Sequence, residues 1–170
     1  WNQNRGSNLL DGGAHFYGTY ETKDGKHVSL GSIEPQFYAL LLEKTGLDQD
    51  PDLAKQMSRD DWPMLREKLA AVMATKTRDE WDGIMLGTDI CYAPILNFEE
   101  AVEHPHNQAR QTFVNSADIT QAAPAPRFSR TEPELPQPPV APGQHTDEIL
   151  AGIGLDAAAI VDLKESGAVA

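Results

Sequence analysis

The stretch from Asn8 to Phe37 constrains the fold of this chain more than any other. Phe16 to Thr22 is aromatic and Thr-bearing, and Val28 and Leu30 fall on one face of a second run. Asp24-Gly25 between them supplies the positive φ of a two-residue turn, so an antiparallel hairpin is expected. Pro35 suits the first turn of a helix, where its missing N–H costs nothing, and this puts Glu34 at or near the N-cap. The exposed N–H groups and dipole of a helix N-terminus favour an ionised carboxylate there. By pattern alone, capping is the ordinary role of such a residue. Gly12-Gly13 precedes a strand rather than a helix, so it reads as a close backbone turn and not as a phosphate loop.

After the hairpin, Phe37, Leu40, Leu41 and Lys44 have the spacing of one helical face, and Gly46 stops that helix. The acidic segment Leu47 to Arg59, interrupted by Pro51, is expected as a loop with one helical turn. Asp60 or Asp61 then opens a helix with Pro63 in its first turn and Trp62, Leu65, Leu69, Val72 and Met73 on one face. Thr77-Arg78-Asp79-Glu80 has the form of a capping box before Trp81, Ile84 and Met85. Leu86 to Asp89 is a turn. Ile90 to Leu96 reads as a short strand that Pro94 confines to an edge. Asn97 to Glu100 caps a short helix ended near His104-Pro105, with one more turn of helix and a strand near Phe113-Val114 behind it. Ala123 to Gly143 carries Pro124, Pro126, Pro133, Pro136, Pro138, Pro139 and Pro142, an extended connector that belongs on a surface. Two helical pieces follow, Thr146 to Ala151 and Asp156 to Ser166. The fold class is therefore α+β.

Composition removes whole classes of function. The net charge of −12 argues against nucleic acid and anionic membranes, both of which reward clustered Lys and Arg. Cys91 stands alone, which excludes an internal disulfide and fits a reducing, cytoplasmic compartment. In an apolar strand it is expected as a buried, inert thiol. No apolar run approaches the roughly 20 residues that span a bilayer. His104-Pro105-His106 lacks a third ligand, so these are expected as surface histidines and no metal site is assigned. Arg127-Phe128-Ser129-Arg130 is a basic island whose ordinary role is surface salt bridging.

The order of motifs resembles a known family. Asn8-Leu9-Leu10-Asp11-Gly12-Gly13-Ala14, then Phe16-Tyr17, Tyr20-Glu21-Thr22 and Gly31-Ser32-Ile33-Glu34-Pro35-Gln36-Phe37, is similar to the α-methylacyl-CoA racemases. These belong to the family III CoA-transferase (CaiB/BaiF-like) superfamily. Cys91-Tyr92-Ala93-Pro94-Ile95, Pro124 to Thr131 and Pro142 to Leu150 resemble its later segments in the same order.

That resemblance implies the C-terminal portion of a chain about twice as long. Residues 1–7 would link to an N-terminal half, 8–115 would form the small domain, and 116–170 would return to a larger α/β domain. Two complete subunits would interlock as a homodimer. The substrate would be an acyl-CoA thioester, with no cofactor beyond the coenzyme A it carries. The activity implied is isomerase: interconversion of (R)- and (S)-2-methylacyl-CoA in lipid metabolism, with this portion alone inactive. Glu34 would be catalytic, paired with a histidine of the N-terminal half, and Leu10, Tyr17 and Ile33 would border the acyl chain. Two alternatives stay open, a family III CoA-transferase acting on a carboxylic acid and an acyl-CoA, and a non-catalytic interaction domain.

Overall fold

A computed structural model describes residues 2–116, 118–135 and 137–169. The chain divides into two compact units, one ending at Ala101 and the other beginning at Val102. The first opens with the hairpin. Strands β1 (Tyr17–Glu21) and β2 (His27–Gly31) pair antiparallel, with Tyr17 opposite Gly31 and Glu21 opposite His27. The turn differs from the two-residue one expected. The Thr22 N–H donates to Lys26 O at 2.9 Å and the Gly25 N–H to Thr22 O at 2.9 Å, which makes a three-residue loop. Gly25 alone in this loop has positive φ, at 73°, whereas a two-residue type I′ turn needs it at both central positions. Thr22 Oγ1, 2.6 Å from Asp24 Oδ1, holds the wider turn together.

Val28 and Leu30 face the core as expected, joined by Phe16 and Tyr20. Helix α1 (Pro35–Thr45) ends at Gly46, whose φ of 74° supplies the left-handed cap. Its buried face is Tyr38 and Leu41, while Phe37 and Leu40 are half-buried. A single 3₁₀ turn, Pro51–Ala54, interrupts the acidic loop and buries Leu53. In helix α2 (Trp62–Met73) the buried face is Trp62, Leu65, Leu69 and Met73, the expected stripe with Val72 at its margin. Helix α3 (Arg78–Met85) carries the expected capping box, with Glu80 N–H on Thr77 Oγ1 at 3.3 Å and Thr77 N–H on Glu80 Oε2 at 2.8 Å. Helix α2 packs on β1, and Phe16 meets Trp62 edge to face with ring centroids 6.1 Å apart.

The third strand, β3 (Tyr92–Ile95), pairs antiparallel with β2 and lies at an edge of the order β1-β2-β3, where Pro94 is tolerated. It is shorter than expected because Ile90 turns into the core and Cys91 adopts a φ of 61°. That left-handed backbone also overturns the buried thiol, since Cys91 is exposed. Helix α4 (Phe98–Glu103) follows, capped reciprocally by Asn97 and Glu100.

The second unit holds α5 (Pro105–Ala109), the hairpin β4 (Phe113–Ser116) and β5 (Ile119–Ala122), and helices α6 (Thr146–Gly152) and α7 (Ala157–Glu165). Strand β5 was not expected, because Ile119 to Ala122 has neither aromatic residues nor a clear alternation. Between Ala123 and Gly143 the described residues form no helix or strand, as the prolines dictate; Pro136 lies outside the described residues. Ile160 is the one buried hydrophobic residue described in this unit, whereas Phe128, Ile149 and Ile153 are exposed. Arg127 corrects the salt-bridge expectation: its Nη2 donates to the carbonyls of Arg110 and Gln111.

Candidate active site

The junction between β2 and α1 is held from three directions. Ser32 is fully buried; its N–H donates to Phe16 O at 3.0 Å and its hydroxyl to Ile90 O. Gln56 reaches back from beyond the 3₁₀ turn. Its Nε2 donates to Ser32 O at 3.1 Å and to Ile33 O at 2.9 Å. The Gln56 carbonyl in turn accepts the indole N–H of Trp62 at 2.8 Å. Glu34 emerges from this fixed segment at the N-cap position, with φ −71° and ψ 141°. Its carbonyl accepts the Tyr38 N–H at 3.0 Å, but its side chain makes no capping bond and is exposed. The capping position is occupied while the capping function is not performed. A carboxylate left this way remains available as a base or as a partner for a cation.

The segment before β1 is folded as tightly. The Asn8 N–H donates to Asp11 Oδ1 at 2.7 Å and Asn8 Nδ2 to Asp11 Oδ2 at 2.9 Å, and the Gly13 N–H closes on Asn8 O at 3.2 Å. A Cβ on Gly13 would stand 2.6 Å from Ser7 C and 2.7 Å from Asn8 O, so only glycine fits this approach. The loop buries Ala14, half-buries Leu9 against the core, and leaves Leu10 54 % exposed. Tyr17, half-buried, lines a shallow groove of ≈ 410 Å³ with Thr19, Ser29, Gly31, Cys91 and Ala93. Its lining, which also includes Leu30 and Tyr92, carries no Asp, Glu, Lys, Arg or His. Ile33 is half-buried against the core; Leu10, Ile33 and Glu34 are not part of this groove's lining.

Beneath these residues runs a buried polar chain that sequence reasoning missed. His15 is fully buried, with Nε2 2.8 Å from the Tyr38 hydroxyl. The Tyr38 O–H donates to Leu53 O at 2.9 Å, so the imidazole carries its proton on Nε2. His15 Nδ1 has no partner. Burial, with the Arg66 guanidinium adding to it, lowers the His15 pKa to about 4, so the ring is neutral. Tyr20 donates to His15 O and has its own pKa pushed up to about 12 by burial. Arg66 lies 4.9 Å over the Tyr20 ring and donates to Gly12 O and Thr19 O, both at 3.1 Å. His15 and Tyr38, both neutral, thus join the Gly12 to Tyr17 segment to α1. A signal existed for His15, flanked by Ala14 and Phe16 in an apolar run. None existed for Gln56.

Of the histidine pair, His104 caps α5 by accepting the His106 N–H at 3.3 Å. Among the described residues no group of three His, Cys, Asp or Glu is placed to hold a metal ion, and no helix is long and apolar enough to cross a membrane.

Residues 2–146 match the profile of the family described as CoA-transferase family III. The chain belongs to that family. It is 47 % identical over 166 residues to an α-methylacyl-CoA racemase of Mus musculus and 46 % identical to one of Homo sapiens, in each case across 96 % of this chain. It spans 43 % of the length of each racemase, their C-terminal part. An acyl-CoA transferase of Fusarium pseudograminearum is 32 % identical across 89 % of this chain. Among solved structures, the hypothetical protein Rv3272 of Mycobacterium tuberculosis superposes with a TM-score of 0.64 at 19 % identity, covering 81 % of this chain and 40 % of that one. That likeness is one of fold, the mixed α+β arrangement expected from the sequence.

Proposed function

We propose that this chain is the C-terminal portion of an α-methylacyl-CoA racemase and that Glu34 serves its chemistry. The single observation carrying the assignment is an exposed carboxylate on a pinned backbone, at an N-cap position, with no capping bond to make. The thioester carbonyl of a 2-methylacyl-CoA makes the α-proton acidic enough for enolate formation, provided that donors stand near the developing oxyanion. One acid/base group on each face of the α-carbon then inverts the centre. Glu34 takes the part of the carboxylate that orients and charges an imidazole supplied by the N-terminal half. Leu10, Tyr17 and Ile33 offer apolar surface to the acyl chain, and coenzyme A enters only as part of the substrate. Residues 1–7 link to the N-terminal half, 8–115 form the small domain and 116–170 return to the large one, in an interlocked homodimer. The higher identity to racemases than to the Fusarium transferase supports isomerisation over transfer.

The test uses the full-length protein. Exchange of the α-proton of a 2-methylacyl-CoA with solvent deuterium should fall on the order of 10²–10⁴-fold in Glu34→Gln, with CoA-ester binding retained. Exchange at the wild-type rate removes Glu34 from the mechanism. CoA transfer to a carboxylic acid without α-proton exchange makes the protein a transferase instead.

A further inference from the structure

We infer that Gln56 is a positioning residue for Glu34; the inference rests on the function proposed above and assigns its geometry to a side chain outside the reaction. Two carbonyls immediately before Glu34, those of Ser32 and Ile33, both point at one amide nitrogen, 3.1 and 2.9 Å away. Because both partners are acceptors only, the amide orientation is fixed: the nitrogen faces the chain and the oxygen faces away. Gln56 is itself anchored by the bond from Trp62 Nε1 to its carbonyl, and Trp62 is a core residue 3 % exposed. The amide therefore transmits the position of the α2 N-terminus to the segment that presents Glu34. Pro35 cannot donate a hydrogen bond and Glu34 makes none with its side chain, so beyond the local bonds of Ile33 N–H to Gly31 O and Tyr38 N–H to Glu34 O the fork from Gln56 is the tether on this side. The opposite side is held by Ser32 on Phe16 O and Ile90 O. Two-sided restraint of this kind keeps a carboxylate that must orient an imidazole within the tolerance that catalysis needs.

Gln56→Met keeps the length and volume and removes both donors. Gln56→Asn keeps the amide one methylene short. Gln56→Glu places a carboxylate against two carbonyl oxygens, and only its protonated form can donate. In the full-length protein, Gln56→Met should lower kcat for α-proton exchange about 10- to 100-fold with KM within about twofold. Gln56→Asn should fall between it and the wild type. The defect of Gln56→Glu relative to Gln56→Met should shrink as pH falls and the carboxyl gains its proton, a trend that a packing role does not produce. If Gln56→Met fails to fold, the Asn and Glu variants carry the test. Folded variants with wild-type kcat, alongside an inactive Glu34→Gln, overturn the inference and leave the proposed function standing. If Glu34→Gln is itself fully active, both fall together.

Discussion

Arg78 and Glu100 form a two-pronged ion pair, with Nη1 2.8 Å from Oε2 and Nη2 2.7 Å from Oε1. Arg78 opens helix α3 yet is only 6 % exposed, and its Nη1 also donates to Ile95 O at 2.9 Å. Lys26, on the hairpin, reaches the same Glu100 at 2.8 Å, and the Arg78 N–H meets Asp24 of the hairpin turn at 3.1 Å. One carboxylate thus gathers the hairpin and the starts of α3 and α4. Arg78, and then Lys26, hold its carboxyl well below the usual carboxylate range. Removing Glu100 leaves the buried guanidinium with only the exposed Asp79 carboxylate, 3.8 Å away, the expensive way to break such a pair. Glu100→Ala should lower Tm by roughly 10 °C or more, while Glu99→Ala next to it should change Tm by less than about 2 °C. Equal small effects in thermal unfolding refute the assignment.

A second prediction concerns acid. The buried imidazole of His15 titrates at about 4, against about 6.5 in an unfolded chain. Between those values the unfolded chain binds the extra proton and the folded one does not, so stability falls as pH falls. The contribution is complete above pH 6.5 and declines below it by about 1.4 kcal/mol per unit, toward a loss of about 3 kcal/mol near pH 4. Burial pushes the hydroxyl pKa values of Tyr38 and Tyr20, the tyrosines beside the ring, upward, so both stay neutral across this window. Urea unfolding from pH 7.5 to 5 should show this slope in the wild type and lose it in His15→Phe. A parallel slope in both proteins places the acid sensitivity elsewhere.

What was legible in the sequence was what its chemistry fixes locally. The Thr77–Glu80 box, the Gly46 stop, the α2 stripe and the edge position of Pro94 each follow from neighbours a few residues apart. The hairpin itself was legible, but Asp24-Gly25 alone did not set its loop length, which Thr22 and Lys26 decide together. The side-chain pairings between distant segments are of another kind. Gln56 meets Ser32 across 24 residues, His15 meets Tyr38 across 23, and Arg78 meets Glu100 across 22. Pairings at that separation leave no periodicity to read. The exposure of Cys91 is not legible in the sequence, because apolar neighbours say nothing about a backbone that turns through positive φ between them.

The two adjacent glycines should differ in their tolerance of a side chain. At Gly12, with φ 94°, a Cβ meets no atom within 4 Å, so alanine there pays only for the left-handed backbone, about 1–2 kcal/mol. At Gly13 the obstacle is backbone, with Ser7 C, Asn8 O and Asn8 N all within 2.8 Å. Backbone cannot swing aside as a flexible side chain can. Gly13→Ala should therefore open the Asn8–Asp11 loop and cost more than Gly12→Ala, about 3 kcal/mol or above. Chemical denaturation of the two variants gives the order, and the reverse order contradicts the packing described for this loop.

Glu34 separates presentation from capping. In most helices an N-cap side chain accepts from an amide of the first turn, and its loss costs stability. Here Glu34 has the backbone of an N-cap and no such bond, while Pro35 already satisfies one of the first-turn requirements by having no N–H. The residue is exposed, and its position is secured through its neighbours' backbones by Gln56, Phe16 and Ile90. Glu34→Gln and Glu34→Ala should accordingly leave Tm within about 2 °C of the wild type, whatever they do to turnover. Paired thermal unfolding and deuterium-exchange measurements on the same full-length samples divide the two roles. Large loss of exchange at unchanged Tm is the expected outcome. A Tm lowered by several degrees with exchange intact would return Glu34 to the helix as an ordinary cap.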